Sequence, residues 1–210
     1  MFAAVLLSAS LSHAVIPGQL DDFQSGTVLG WGGGKTVPPE HHADGGPGGT
    51  GDGFLQITTT NFHLGTKNTA QWSGNYISAA IPAVEMDLNN FGPDAVDIRI
   101  VFFGPGGMFA SSNRVSLAAG SGWQHAVYSL APANMWYVSG GTANPADTLS
   151  GVTTLLIRND RDPPTPQGSH PPHITGTLGI DNIHALPEPG LSIMLLLVLF
   201  LRPSRIHAII

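Results

Sequence analysis

The chain contains no cysteine, and only 10% of its 210 residues are charged. The first absence excludes disulfides, thiolate metal sites and catalysis by a cysteine nucleophile. It does not settle the compartment, because exported proteins without cysteine lose only the redox argument. Basic residues are scarcer than acidic ones. Between Val15 and Pro187 the only Lys or Arg are Lys35, Lys67, Arg99, Arg114, Arg158 and Arg161, against thirteen acidic residues. They form no basic run along the sequence, so few phosphate counterions would be released on binding, and nucleic acid is not expected as a partner. Sustained helical periodicity is missing as well. So are the G-x-S-x-G elbow, the phosphate-binding G-x-x-x-x-G-K loop and the H-E-x-x-H zinc motif. The string "GPGGTG" (residues 46–51) matches G-x-G-x-x-G, but no strand precedes it and a strand-like run follows where a helix should begin. It reads as a glycine-rich loop.

What the chain does have is 27 Gly and 17 Pro, punctuating short apolar runs. Such spacing predicts an all-β sandwich, and the length suits one domain. "VEMDLNN" sets Val84, Met86 and Leu88 opposite Glu85 and Asp87, a half-buried strand. "VDIRIVFF" aligns Val96, Ile98, Ile100 and Phe102, then loses alternation at Val101 and Phe103, as a strand covered on both faces at one end would. "FLQITTT" puts Leu55 and Ile57 on one face; "WQHAVYSL", "VTTLLIR" and "TLGIDNIHAL" supply three more runs. Helix is expected for a turn or two at most, near residues 131–136.

The ends differ from the body. "MFAAVLLSASLSHA" is apolar and closes on small residues, as an export signal cut after Ala14 does, although no Lys or Arg precedes its apolar stretch. Near the other end, residues 191–201 are apolar apart from Ser192, and Arg202 and Arg205 follow. A helix over 190–201 would reach about 18 Å, short of a roughly 30 Å hydrocarbon layer. It has no polar face, however, and stands after a Pro-bounded break, which favours entry into lipid over burial in a core. Arginines beyond it would hold the tail on the cytoplasmic side.

Pro187-Glu188-Pro189, the apolar run and the two arginines together resemble the PEP-CTERM sorting tail of Gram-negative bacteria. The resemblance implies recognition by an exosortase-type processing enzyme and a cell-surface or extracellular-matrix destination, by anchoring or by release. It also implies the division 1–14 signal peptide, 15–186 β-sandwich domain and 187–210 sorting tail, with a membrane-entering segment at 190–201. "DDFQSGTVLGW", "GSGWQHAVYSL" and "LGIDNIHAL" resemble the opening, central and closing strands of galactose-binding-like and carbohydrate-binding-module jelly rolls. That resemblance implies a single jelly-roll β-sandwich. It further implies a structural calcium near the paired terminal strands, with Asp22 and Asp181 at the matching positions and Asp52 of "GDG" a looser candidate. Calcium takes six to eight oxygens, and glycine-rich turns expose carbonyls to it. The competing reading is an Asx turn or edge contact at Asp181-Asn182.

Four tryptophans divide by context. Trp31 and Trp123 stand at strand-like positions and are expected in the core. Trp72 with Tyr76 and Gln71, and Trp136 with Tyr137, occupy turn-rich stretches and form the expected sugar contact, because aromatic faces stack on the C–H faces of sugar rings. The competing reading for these five residues is packing. The histidine strings "EHHAD" and "HPPH" lack the i, i+4 spacing that brings two imidazoles onto one ion, so they read as loop histidines. Glycoside hydrolysis needs two carboxylates facing one another across a cleft, and Glu85 with Asp87 shares only a strand face. The expectation is therefore an exported, non-catalytic module that binds carbohydrate or another surface polymer. A purely structural surface protein is the alternative, and a polysaccharide hydrolase or lyase the third.

Overall fold

A computed structural model describes residues 14–33, 37–166 and 169–189. Residues 1–13 of the expected 1–14 signal peptide, the apolar run 190–201, and Arg202 and Arg205 lie outside the described residues. Among those described, no helix is long and apolar enough to cross a membrane.

Twelve strands follow in chain order: β1 Leu20–Asp21, β2 Glu40–His42, β3 Phe54–Phe62, β4 Gly65–Asn68, β5 Ala83–Asn90, β6 Val96–Gly104, β7 Gly107–Ser111, β8 Val115–Leu117, β9 Gln124–Ser129, β10 Met135–Ser139, β11 Thr154–Asn159 and β12 Ile174–Leu186. The expected helix near residue 131 is a single 3-10 turn, Pro132–Asn134. A short helix α1, Pro145–Leu149, was not expected; Pro145 opens it and the Asn144 side chain caps it by accepting from the Ala146 amide.

The strands form two six-stranded antiparallel sheets. The first runs β2-β3-β12-β5-β9, with β1 paired to β12; the second runs β10-β7-β6-β11-β4, with β8 paired to β6. Apolar residues at alternate positions of both sheets meet in one core, as period-two strands require. Val84, Met86 and Leu88 face it from β5, and Ile98, Ile100 and Phe102 from β6. On the opposite face of β6, Val101 joins Met108 and Ala110 in a smaller apolar cluster. The doubly covered end of β6 is thus observed.

Two local features position the surfaces discussed below. The β6–β7 turn brings Gly104 opposite Gly107, and Gly107 has φ +114 with Gly140 O only 2.3 Å from where a Cβ would stand. Glycine is required there on both counts. In β12 the register shifts between Asp181 and His184, with Asn182 at φ 50, a bulge of the kind asparagine tolerates. Since β12 lies between β3 and β5, this is a bulge in a central strand, neither an edge contact nor a turn.

Beyond β11 the chain crosses the outer face of the second sheet as a strap, residues 160–166. Two arginines of that face pin it. Fully buried Arg99 on β6 donates to the Ser111 and Ser112 carbonyls at 2.6 and 2.8 Å and pairs with Asp162. Arg158 on β11 donates to Asp160 Oδ2 through Nε at 3.0 Å and through a terminal nitrogen at 2.5 Å, and also to the Thr165 carbonyl at 2.7 Å.

Candidate functional site

The five expected sugar-contact residues fall into two groups. Trp72 and Tyr76 are in the core. Buried Asp21 accepts from Trp72 Nε1 at 2.7 Å and Trp31 Nε1 at 2.8 Å, and from Gln71 Nε2 at 3.2 Å. The Tyr76 hydroxyl donates to the Trp72 carbonyl at 2.9 Å. With their polar atoms satisfied internally and their rings out of water, Trp72 and Tyr76 cannot stack on a sugar, and Gln71 is held by the same carboxylate. The sugar contact expected at these three residues is corrected to a structural role: a buried acid found its donors from a loop fifty residues away.

Trp136 and Tyr137 remain exposed, at 46% and 44%. They lie on β10, a strand where turns were expected, at one edge of the second sheet. Trp136 stands opposite Ala110 and Tyr137 opposite Phe109; the Tyr137 ring packs 5.5 Å from Phe109, and its hydroxyl donates to Gly140 O at 3.2 Å. Packing against Phe109 and a hydrogen bond at the tip hold the Tyr137 ring on the core-side face of β10, while Trp136 projects from the opposite, outer face. A cavity of about 430 Å³ opens beside the pair toward Ser112 and Ala133. Another, of about 370 Å³, opens between the pair, Val138 and the strap residues Arg161 to Pro166.

Trp123, expected in the core, is corrected to a half-buried position outside the sandwich. It packs on the outer face of the first sheet against Phe54 and Phe91, at 5.4 and 6.0 Å between ring centroids, and donates to the Gly45 carbonyl at 3.0 Å. Beneath the three rings lies Gly179, where a Cβ would stand 2.7 Å from Phe91 and 2.9 Å from Trp123. Trp31 is buried as expected.

The carboxylates expected to hold a cation gather on the first sheet without forming a closed cluster. Among the described residues no three His, Asp or Glu approach closely enough to ligate one ion. Asp181 is fully buried and neither of its carboxylate oxygens has a hydrogen-bond partner. Burial pushes its pKa up to about 7; the Asn182 amide beside it offsets this in part, and the charges of Asp52, Asp87 and Asp22 add to it. Asp22 and Asp52 are joined by Gln24, whose Nε2 sits among Asp52 Oδ1 at 2.6 Å, Asp22 O at 3.1 Å and Gly53 O at 3.4 Å. An amide donor occupies an oxygen-lined position there.

Glu85 and Asp87, the acid pair on β5, face outward and are engaged by neighbours. His184 Nδ1 lies 2.9 Å from Glu85 and His125 Nδ1 3.0 Å from Asp87, and Asn182 donates to Asp87 at 2.8 Å. The hydrogen bond to Asp87 raises the His125 pKa. The histidines of "HPPH" are not isolated: His170 stacks on His63 at 4.6 Å and His173 meets it edge-on at 4.8 Å, beside a cavity of about 230 Å³ reaching Arg158. Of the tail motif, Glu188 donates its amide to Ala80 O at 3.1 Å and lines an apolar cavity of about 290 Å³ with Ile77 and Leu130. Sequence reading missed the strap and its buried arginines. The string "RNDRD" alternates charge, but nothing in it marks burial.

No family model matches this chain, and no curated protein matches it. Solved structures do share its fold. An exo-β-agarase aligns with TM-score 0.57 and 14% identity over 80% of this chain; the match spans 24% of the agarase chain, about a quarter. A family 11 carbohydrate-binding module from Clostridium thermocellum, in complex with a β-1,3-1,4-mixed-linked tetrasaccharide, aligns with TM-score 0.54 and 14% identity over 82% of this chain and 97% of its own. The same organism's family 11 module of a cellulosomal cellulase aligns with TM-score 0.52 and 14% identity, over 82% and 96%. The two-sheet β-sandwich fold is therefore shared with these solved structures.

Proposed function

We propose that this chain is a non-catalytic polysaccharide-binding module, exported and sorted to the cell surface or matrix, whose ligand lies along β10 and the strap. The observation that carries the reading is Trp136, exposed on the outer face of the edge strand β10 beside the strap, with Tyr137 half exposed on the strand's other face and open cavities next to both. Ring faces held in water at the cost of their own hydration are suited to stack on pyranose C–H faces, while nearby hydroxyl and carbonyl groups meet the sugar hydroxyls. The fold shared with carbohydrate-binding modules supports it by analogy. Hydrolysis would need two carboxylates about 5 to 10 Å apart across a cleft, and none of the four cavities described above is lined by more than one.

Sorting rests on the order Pro187-Glu188-Pro189, apolar run, Arg202 and Arg205, which supports an exosortase-type enzyme as processing partner and transient entry into the membrane. Calcium belongs to the same reading. Asp22, Asp52 and Asp181 are the residues that would hold it, but as arranged they do not approach closely enough to ligate one ion; calcium would have to draw them together and displace Gln24 Nε2 from Asp52 and the Gly53 carbonyl.

The test is affinity electrophoresis of the full chain in gels containing mixed-linked β-glucan, xylan, agarose, alginate or carrageenan. Retardation by at least one, lost in Trp136→Ala and kept in Trp123→Ala, is expected. Absence of retardation by all of them removes the binding reading and leaves a structural surface module.

A further inference from the structure

Charge is segregated between the two sides of the sandwich. Lys67, Arg99, Arg114, Arg158 and Arg161 are the only Lys and Arg among the described residues, and all five belong to the second sheet's outer side. Arg99 and Arg158 lie on that face under the strap. Lys67 is exposed on β4 opposite Leu156, Arg114 pairs with Asp97 and Asp162, and Arg161 is on the strap itself. The first sheet instead gathers Asp22, Asp52, Glu85, Asp87 and Asp181 and has no Lys or Arg. No basic patch was expected from the sequence; the fold brings all five of these cations to one side of the sandwich, two of them buried.

The acids on the cationic side are already committed. Asp160 accepts from Arg158 and from the Thr165 amide and hydroxyl. Asp162 pairs with both Arg99 and Arg114, and Asp97 with Arg114 at 3.3 Å. Arg161, flanked by two of these acids, is left with no acidic partner among the described residues. Its side chain borders the cavity of about 370 Å³ that Trp136 and Tyr137 also line. Lys67 likewise has none, at the far edge of the sheet.

The net charge of −6 does not cancel this. Sheets in a sandwich lie about 10 Å apart, close to the screening length of roughly 8 Å at physiological salt, so each face presents mainly its own charge.

We infer that the polysaccharide bound along β10 carries carboxylate or sulfate groups, taken by the Arg161 guanidinium while Trp136 stacks on the same or a neighbouring sugar. This rests on the binding reading above and names its ligand class. Arg161 is suited to it: a planar fork of donors matches either oxyanion with two parallel hydrogen bonds. Lys67 adds attraction for a chain lying across the sheet.

The experiment compares the full chain with Arg161→Gln and Trp136→Ala, by affinity electrophoresis and calorimetry. The probes are alginate as polyuronate, carrageenan as sulfated galactan, agarose and mixed-linked β-glucan as neutral chains, and single-stranded poly(dT). Binding to alginate or carrageenan is expected, weakened about tenfold or more in Arg161→Gln, as loss of a charge-assisted pair implies, and weakened by added salt. Alginate alone identifies the group as carboxylate, carrageenan alone as sulfate. Arg161 is exposed, so its replacement leaves the fold intact. Trp136-dependent binding of a neutral chain, unmoved by salt or by Arg161→Gln, overturns the anionic ligand and keeps the binding reading. Equal binding of poly(dT) overturns it in favour of general polyanion attraction, and binding of no probe ends both.

Discussion

Asp21 and Asp181 are both buried carboxylates at the first sheet, and their surroundings oppose one another. Asp21 accepts from two indoles and an amide, yet burial still outweighs those donors and raises its pKa. Asp181 has no hydrogen-bond partner and is raised to about 7. Its unfolded value is near 3.9, so its contribution to stability is fully present below pH about 4 and is lost as the pH rises through 7. In chelator, the melting temperature is expected to fall across that window, and Asp181→Asn is expected to flatten the fall. Calcium at pH about 8 should raise the melting temperature of the native chain and leave Asp181→Asn unmoved; a native chain indifferent to calcium there would remove the cation. Neither environment was legible in sequence. Trp72 and Trp136 stand in equally polar, turn-rich text, and only the approach of Asp21, 51 residues before Trp72, makes one of them interior.

At the scale of elements, the strap shows how ion pairs can hold an irregular segment on a sheet. Asp160 is buried with Arg158, so Asp160→Ala would strand a desolvated guanidinium and two Thr165 donors. A loss of about 3 to 5 kcal/mol is expected from urea unfolding. Asp162 is half exposed, but it is the carboxylate paired with fully buried Arg99, so Asp162→Ala should also destabilise, leaving that guanidinium only the Ser111 and Ser112 carbonyls. No loss in either variant would mean that the strap is held by packing alone. Strands were readable in proportion to their length. The alternation in β5 and β6 spans eight or nine residues and declares itself, whereas β1, β2, β4 and β8 have two to four, too few for a period of two to emerge. β10 was obscured by its flanking Gly and Pro, and α1 by having barely more than one turn.

At the scale of the molecule, one continuous core joins the sheets, and Trp31 and Trp72 sit inside it. Unfolding is therefore expected to be a single transition in which tryptophan emission and far-UV circular dichroism change together. A fluorescence change that precedes the loss of strand signal would divide the sandwich into separate units. The sequence by itself determined the fold class, the inward face of the long strands and the exclusion of cysteine chemistry. Those properties are local: period-two alternation and residue type act within a few positions, wherever the strand is finally placed. The tertiary structure alone decided which aromatics meet water, which carboxylate is left without donors and where positive charge collects. Lys67, Arg99, Arg114, Arg158 and Arg161 are spread over almost a hundred residues and share one side of the sandwich only because β4, β11, β6 and β7 belong to one sheet and the strap crosses it. Burial and Coulomb energy depend on distance in space, which strand order sets and spacing along the chain does not.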